Sequence, residues 1–597
     1  MNFLQKIKTN TAEKLTVRFF SSLFLSCILF LIIVYPLSFE NVMFFKRVPI
    51  LPFLGVLIGF YAALSVLFTF INSLKIERLI LLISYTVYAV FCVAESTDLW
   101  FSFGAALILL IICVYVFKDG FAPDIKGDIP KVFLVIAAVS GALYFSVFIG
   151  AQTVCRYLTL STPNYDFGIF SQMFYYMKTT LQPWTTCERD VLMSHFAVHA
   201  SPAFYLFLPF YMIFPSPATL MVCQAVFLAS GVIPVVMICK KAGLSNKASA
   251  VFSLIYALYP ALAGGCYYDL HENKMLAVLL LWLFYFILKN KWYGIAVFSA
   301  LVLTVKEDAA VYVVFAGIYV LLSAHKKDKF KGLFMVLCGA AYFYGVTFLL
   351  NRFGEGTMDS RYANFMTSQG DSLLNVLANV VKDPAYVVRQ MFDTTADKAA
   401  ENKIEFMLRM FLPLGCLPLI TKKLSRYVLL LPLVLINLMS DYVYQHGIFF
   451  QYTYGPLAFL FFAAIINYAD LSTRVKRTLG VFAALSAVLV CTQSVWQKSN
   501  YAAAYLQNKD SYDAVRTAIY SIPEDASVGA TTFYCAASSQ HKIMYDLKYT
   551  GHADELDYIV LDLRTSEGRN FLYDYEYNGN YKEYCKVEGW LVIFERK

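Results

Sequence analysis

Charge is what this 597-residue chain has least of: Lys, Arg, Asp and Glu together make up 15% of it. A soluble chain of that length carries about a quarter. No long basic stripe is present, so the net charge of +8 does not point to nucleic acid. The thirteen cysteines include no CxxC pair, which removes the usual redox and zinc-ribbon signatures. No HExxH motif occurs, no internal repeat is evident, and the C-terminal tail has no glycine-rich phosphate loop. The basic, polar start MNFLQKIKTNTAEKLTVR precedes a long apolar run without a small-residue cleavage site, so no cleavable signal peptide is expected.

Apolar residues fill the space that charge leaves. Hydrophobic residues make up 59% of the chain and the mean hydropathy is +0.58. Runs near the 20 residues needed to cross a bilayer recur along it. The expected fold is an all-α, multi-pass membrane protein with about fifteen spanning helices and a small α/β domain at the C-terminus. Spans are expected near 19–39, 50–72, 79–97, 99–117 and 132–151, then 218–238, 247–263, 275–288, 292–306, 309–324 and 332–350. Four more are expected near 405–421, 427–442, 449–466 and 479–495. The segment 203–215 is apolar but short and proline-rich, so it is read as dipping into the interface rather than crossing. With that choice the Lys and Arg loops fall on one side, as the positive-inside rule expects. The N-terminus is then cytoplasmic, and the segments 152–217, 351–404 and 496–597 lie outside.

Three regions follow: an N-terminal four-helix extension (1–131), a transmembrane core (132–495) and an extracytoplasmic α/β domain (496–597). In the tail, SYDAVRTAIYSI reads as an amphipathic helix, and ASVGATTF, LDYIVLDL and GWLVIFER read as strands. Cys155 with Cys187, and Cys535 with Cys585, fall outside the membrane and are either oxidised pairs or free thiols.

Polar residues tight against a membrane are costly and mark function. The expected topology puts the main clusters on the outer side. The first is YDFGIFSQ, with Asp166 and Gln172. Asp166 can act as a general base on an acceptor, and can equally cap the helix that follows. The second holds His195 and His199, which at i and i+4 share a helix face. They suit contact with a phosphate or hydroxyl; a divalent metal is the alternative, with Glu188 and Asp190 close by in sequence. The third is Tyr268, Asp269, His271, Glu272, Asn273 and Lys274; the fourth is Lys306, Glu307 and Asp308, squeezed between two apolar runs. A weaker fifth is the aromatic loop around Tyr442, Tyr444, His446, Gln451 and Tyr452. The loop 351–404, with Arg352, Arg361 and Tyr362, is read as a cover over the site.

The segments YDFGIFSQ, HFAVHASPAFYL, YDLHEN and KEDAA resemble, in that order, those of the family called domain of unknown function 2079, over roughly 130–570. That family resembles in turn the GT-C superfamily of membrane glycosyltransferases. The resemblance implies transfer of a sugar from a polyprenyl-phosphate carrier to a glycan, lipid or protein acceptor outside the cytoplasm of a prokaryotic cell. It puts Asp166 at the position of the acidic residue that acts as base, and makes Lys306, Arg361 and His446 candidates for holding the lipid phosphate. Gln172, His195, His199, Asp269, His271, Glu272, Glu307 and Asp308 are expected to line the substrate site. The first loop has no clear DxD pair, so a metal-independent inverting transfer is expected and no cofactor is required. The rival reading is a transporter or flippase of a lipid-linked glycan, and a third is a non-catalytic assembly protein. A transporter expects midplane polar groups, broken helices and repeated halves.

Overall fold

In the computed structural model, residues 11–35, 37–96, 98–119, 127–356, 359–368, 373–393 and 402–597 are described. Ten helices among them are long and apolar enough to cross a membrane. They are Ala12–Ile33, Ile50–Ile71, Leu74–Glu95, Leu99–Phe117, Lys131–Leu158, Pro217–Lys241, Asn246–Tyr268, Lys326–Phe353, Gln451–Asp470 and Thr473–Gln507. The expected count of fifteen is not reached by this measure. Four expected spans form helices of 15, 12, 14 and 9 residues, at Met275–Lys289, Trp292–Leu303, Ala310–Ser323 and Lys403–Phe411. The last of these breaks at Gly415 and Cys416, both left-handed. A further expected span is a mixed-geometry apolar helix over Leu424–Leu438.

Local chemistry sets the ends. Without water, every backbone group must be satisfied within the segment, which makes helix the default in an apolar medium. Side-chain caps start several of them: Thr11 accepts from Lys14 N, Asp98 from Trp100 N and Ser245 from Ala248 N. The proline-rich segment after His199 forms only a short turn at Pro202–Leu206 and a six-residue helix at Leu208–Ile213, with Phe210, Ile213 and Phe214 exposed. It is too short to cross.

The first four helices pack as a unit, tied by a buried two-point ion pair from Arg18 to Glu77 at 2.8 and 2.9 Å. This unit leans on helix Thr473–Gln507 through Phe482, Leu489 and Val490. The remaining helices share one continuous core, from Phe145 to Val495.

The tail folds as a five-stranded mixed sheet. After a two-stranded hairpin in the first loop (β1, Trp184–Thr185; β2, Met193–Ser194), its strands are β3 (Ser527–Ala530), β4 (Ile543–Asp546), β5 (Tyr558–Asp562), β6 (Tyr581–Val587) and β7 (Leu591–Arg596). The order is β4-β3-β5-β7-β6, with β3 parallel to both β4 and β5, and β7 antiparallel to β5 and β6. Helices Lys509–Tyr520 and Ser566–Glu576 complete it.

This domain is seated on the end of helix Lys131–Leu158 and on the first loop. Arg564 donates to the carbonyls of Thr159 (3.0 Å) and Leu160 (2.9 Å), and Arg516 donates to that of Leu158. Gln172 donates to the His541 carbonyl (3.1 Å) and Tyr176 to that of Lys542 (2.7 Å). All thirteen cysteines are free thiols, so neither pair left open in the sequence is bonded.

Candidate active site

The polar clusters meet because each sits where an apolar helix starts or stops. Asp166 lies in a one-turn π-helix, Asn164–Gly168, that opens the helix Ile169–Thr180. His195 and His199 follow β2; His195 begins a 3₁₀ turn capped by Ser194. His271 and Glu272 precede helix Met275–Lys289, and Lys306 and Glu307 precede helix Ala310–Ser323.

Between these elements lies a cavity of about 560 Å³. Asp166, His195, His199, His271, Lys306 and Arg361 line it, together with Glu188, Tyr268, Tyr442, Tyr444 and Tyr452. Five segments far apart in sequence thus bring carboxylate, imidazole and cationic groups to one space.

The histidines are oriented by carboxylates. His195 Nδ1 is 2.9 Å from Glu188 Oε2, and His199 Nδ1 is 2.9 Å from Glu307 Oε1. Glu307 also accepts from the Ala200 backbone N–H at 3.2 Å. Glu272 stands between His271 Nδ1 and Lys306 Nζ, each at 3.2 Å. Phe170 packs edge-on against both His195 and His271, with ring centroids 5.3 and 5.7 Å away. Arg361 lies 5.0 Å from the ring centroids of both Tyr442 and Tyr452, which meet edge to face.

Burial sets the protonation states. It pushes the Asp166 carboxyl above the ordinary range, against the opposing pull of Tyr268 and Lys306. Burial would lower Lys306, but the carboxylates of Glu272, Glu307 and Asp308 more than offset it and hold the ammonium charged. Burial lowers His199 to about 4, helped by the Lys306 charge. His195 rises instead, because Glu188 overcomes its burial. The cavity therefore holds a firm cation at Lys306, the guanidinium groups of Arg189 and Arg361, and a half-buried carboxyl with raised proton affinity at Asp166.

Other expected site residues lie elsewhere. Gln172 does not line the cavity; its amide is bound by Thr185, Thr186 and the tail. Asp269 turns away to Arg156, with contacts of 2.7 and 3.3 Å. Asp308 and Glu272 are buried in the wall behind Lys306. His446 is fully buried outside the lining, and neither of its ring nitrogens has a hydrogen-bond partner. Of the loop 351–404, residues 357–358, 369–372 and 394–401 lie outside the described residues. Among the described residues, no three His, Cys, Asp or Glu side chains converge as metal ligands.

One residue escaped the sequence reading. Arg156 sits near the end of helix Lys131–Leu158, five residues past the expected end of that span, and also donates to the Tyr501 hydroxyl at 2.8 Å. The signal was available: a single Arg at the outer end of an apolar run, facing an acidic loop. Its partner Asp269 has φ 82° and ψ −171°, a region almost reserved for glycine.

A family profile described as predicted membrane protein (DUF2079) matches residues 156–592. Among solved structures, the chain is similar to the crystal structure of ArnT from Cupriavidus metallidurans bound to undecaprenyl phosphate. The two are 11% identical, with a TM-score of 0.45, over 77% of this chain and 97% of that one. No curated protein matches the chain. With the profile covering most of its length, this multi-pass membrane protein belongs to the DUF2079 family of predicted membrane proteins.

Proposed function

We propose that the chain is a glycosyltransferase of the GT-C type, taking a sugar from a polyprenyl-phosphate donor in the plasma membrane and passing it to an extracytoplasmic acceptor. The carrying observation is the pairing, in one cavity, of the Asp166 carboxyl, of raised proton affinity, with the cationic groups of Lys306 and Arg361.

In this reading the acceptor hydroxyl attacks C1 of the sugar. Its proton passes to Asp166, the new C1–O bond forms, and the bond from C1 to the phosphate oxygen breaks with inversion. The electron pair leaves on the polyprenyl phosphate, whose charge Lys306 and Arg361 stabilise. The Tyr442 and Tyr452 rings, set edge to face, both contact Arg361 and hold it in place. His195 and His199, fixed by Glu188 and Glu307, offer ring nitrogens to sugar hydroxyls. Lys306 and Arg361 supply positive charge to the leaving phosphate, the role that a metal held by a DxD pair would otherwise fill, and the first loop has no clear pair of that kind.

The test is sugar transfer from a panel of labelled polyprenyl-phosphate sugars by the purified protein in lipid. Turnover that Asp166→Asn abolishes supports the reading. Movement of the lipid-linked sugar across the bilayer without turnover would make the chain a flippase.

A further inference from the structure

Beside the main cavity lies a second, of about 370 Å³, between the first loop and the C-terminal sheet. Tyr165, Ile169, Glu188 and Arg189 line both, so the two spaces adjoin across these residues. The far wall of the second belongs wholly to the tail: Tyr545 and Asp546 on edge strand β4, then Tyr549 and Thr550.

The walls are fastened to one another. Thr186 Oγ1 donates to the Met544 carbonyl (2.6 Å) and accepts from the Met544 N–H (3.1 Å), so the loop grips the open edge of the sheet. Asp190, a left-handed non-glycine at φ 57°, accepts from the Gly551 N–H at 2.9 Å. The cleft is thus a built joint between two parts of the chain.

Its chemistry is specific. The rings of Tyr165 and Tyr549 line it, with Tyr545 beside them stacked on His552 and the Lys548 ammonium 5.2 Å from the Tyr549 centroid. Glu188, Asp190 and Asp546 add carboxylates, which meet His195, the Gly551 N–H and Thr532 and keep further lone pairs. Thr550 adds a hydroxyl, and among the described residues Arg189 is the one cation in the lining, 3.8 Å from Glu355. Asn164 is also in the wall, and its side-chain oxygen, packed over Gly168, has no hydrogen-bond partner among the described residues. Aromatic faces with carboxylates that accept from hydroxyls suit a polyol, and a surplus of carboxylates repels a polyanion.

We infer that this cleft is the subsite for the acceptor, and that the acceptor is a neutral, polyhydroxylated chain whose reacting end enters the Asp166 cavity. The inference rests on the glycosyltransferase reading for the word acceptor; the saccharide site itself stands on the cleft. It gives the C-terminal domain its role: one wall of the acceptor path.

The test is binding, which needs no turnover. The full chain in lipid nanodiscs is titrated with neutral hexasaccharides of glucose, mannose and N-acetylglucosamine, and with an oligouronate of the same length, by saturation-transfer NMR. At least one neutral chain is expected to bind, with the oligouronate at least tenfold weaker. Tyr549 is 58% exposed, so its replacement does not disturb packing. Tyr549→Ala should weaken neutral binding about tenfold, and Tyr549→Phe, which keeps the ring, should restore it. Preference for the oligouronate, indifference to Tyr549→Ala, or no binding by any neutral chain would overturn the inference. Saccharide binding with no sugar transfer from any donor would leave the cleft standing and sink the glycosyltransferase reading instead.

Discussion

Asp269 offers the sharpest stability test of the site's framework. Its backbone stands in a conformation that costs a non-glycine residue about 1–3 kcal/mol. It is buried, and its carboxylate meets the Arg156 guanidinium at 2.7 and 3.3 Å. Asp269→Gly relieves the backbone but leaves the half-buried Arg156 charge without its carboxylate, with only Tyr501 in contact, which costs about 3–5 kcal/mol. The net expectation is a loss of about 2 kcal/mol. Arg156→Leu alone leaves the strained carboxylate without its cation and should cost about 3–5 kcal/mol. The double variant removes both charges and the strain together, and should return to within about 1 kcal/mol of the parent or exceed it. SDS-driven unfolding of the detergent-solubilised protein, followed by circular dichroism, reads all four corners of the cycle. Additive losses in the double variant, or an Asp269→Gly protein more stable than the parent, would refute the claim that this pair holds the Tyr268–Asp269 turn in place.

Further expectations follow from the same geometry. Arg361→Lys keeps the charge but loses the guanidinium's contacts with the Tyr442 and Tyr452 rings, and should raise the KM for donor about two- to thirtyfold, as loss of about 0.5–2 kcal/mol of cation–π contact implies; an unchanged KM would remove Arg361 from the donor site. His446 is held neutral by burial and by Lys403, with its proton affinity lowered to about 4. Because the unfolded chain takes up that proton near pH 6.5, its contribution is full above 6.5 and is lost as pH falls toward 4. His446→Phe should therefore lose less unfolding midpoint than the parent between pH 7 and 4.5, and parallel pH curves would contradict this. Gln172→Leu removes that residue's bonds to the His541 and Lys542 carbonyls, leaving the one from Tyr176, and should speed amide exchange over 541–546 while the transmembrane core keeps its protection; unchanged exchange would mean that the tail docks without this residue.

Much of this was legible in the sequence, for physical reasons that differ by element. The apolar runs gave the membrane class because few charges interrupt them. Asp166, His195, His199, His271 and Lys306 stood out because polar groups wedged between apolar helices need a shared wet space, and the structure brings them to one. Helix number was harder. Runs of 12 to 15 residues such as Trp292–Leu303 and Met275–Lys289 look like spans by composition but fall short in length. In the tail, the expected helix and the strands β3, β5 and β7 appear, whereas β4 and β6 escaped notice. Both are edge strands, one short and one mostly exposed, so neither carries a clear apolar alternation. Gln172, Asp269 and His446 were grouped with the site by proximity in sequence. Which way Gln172 and Asp269 point depends on partners far along the chain, His541 and Arg156, and His446 is buried outside the cavity's lining.

The central claim is that Asp166 takes the acceptor's proton as a sugar leaves a polyprenyl phosphate. The direct measurement is transfer from labelled polyprenyl-phosphate sugars by the purified protein in lipid, against pH, for the parent and for Asp166→Asn. The account predicts turnover whose acid limb lies above the ordinary carboxylate range, because burial raises Asp166, and the disappearance of that turnover in a variant that still folds. Full turnover by Asp166→Asn, with the same acid limb, would contradict it.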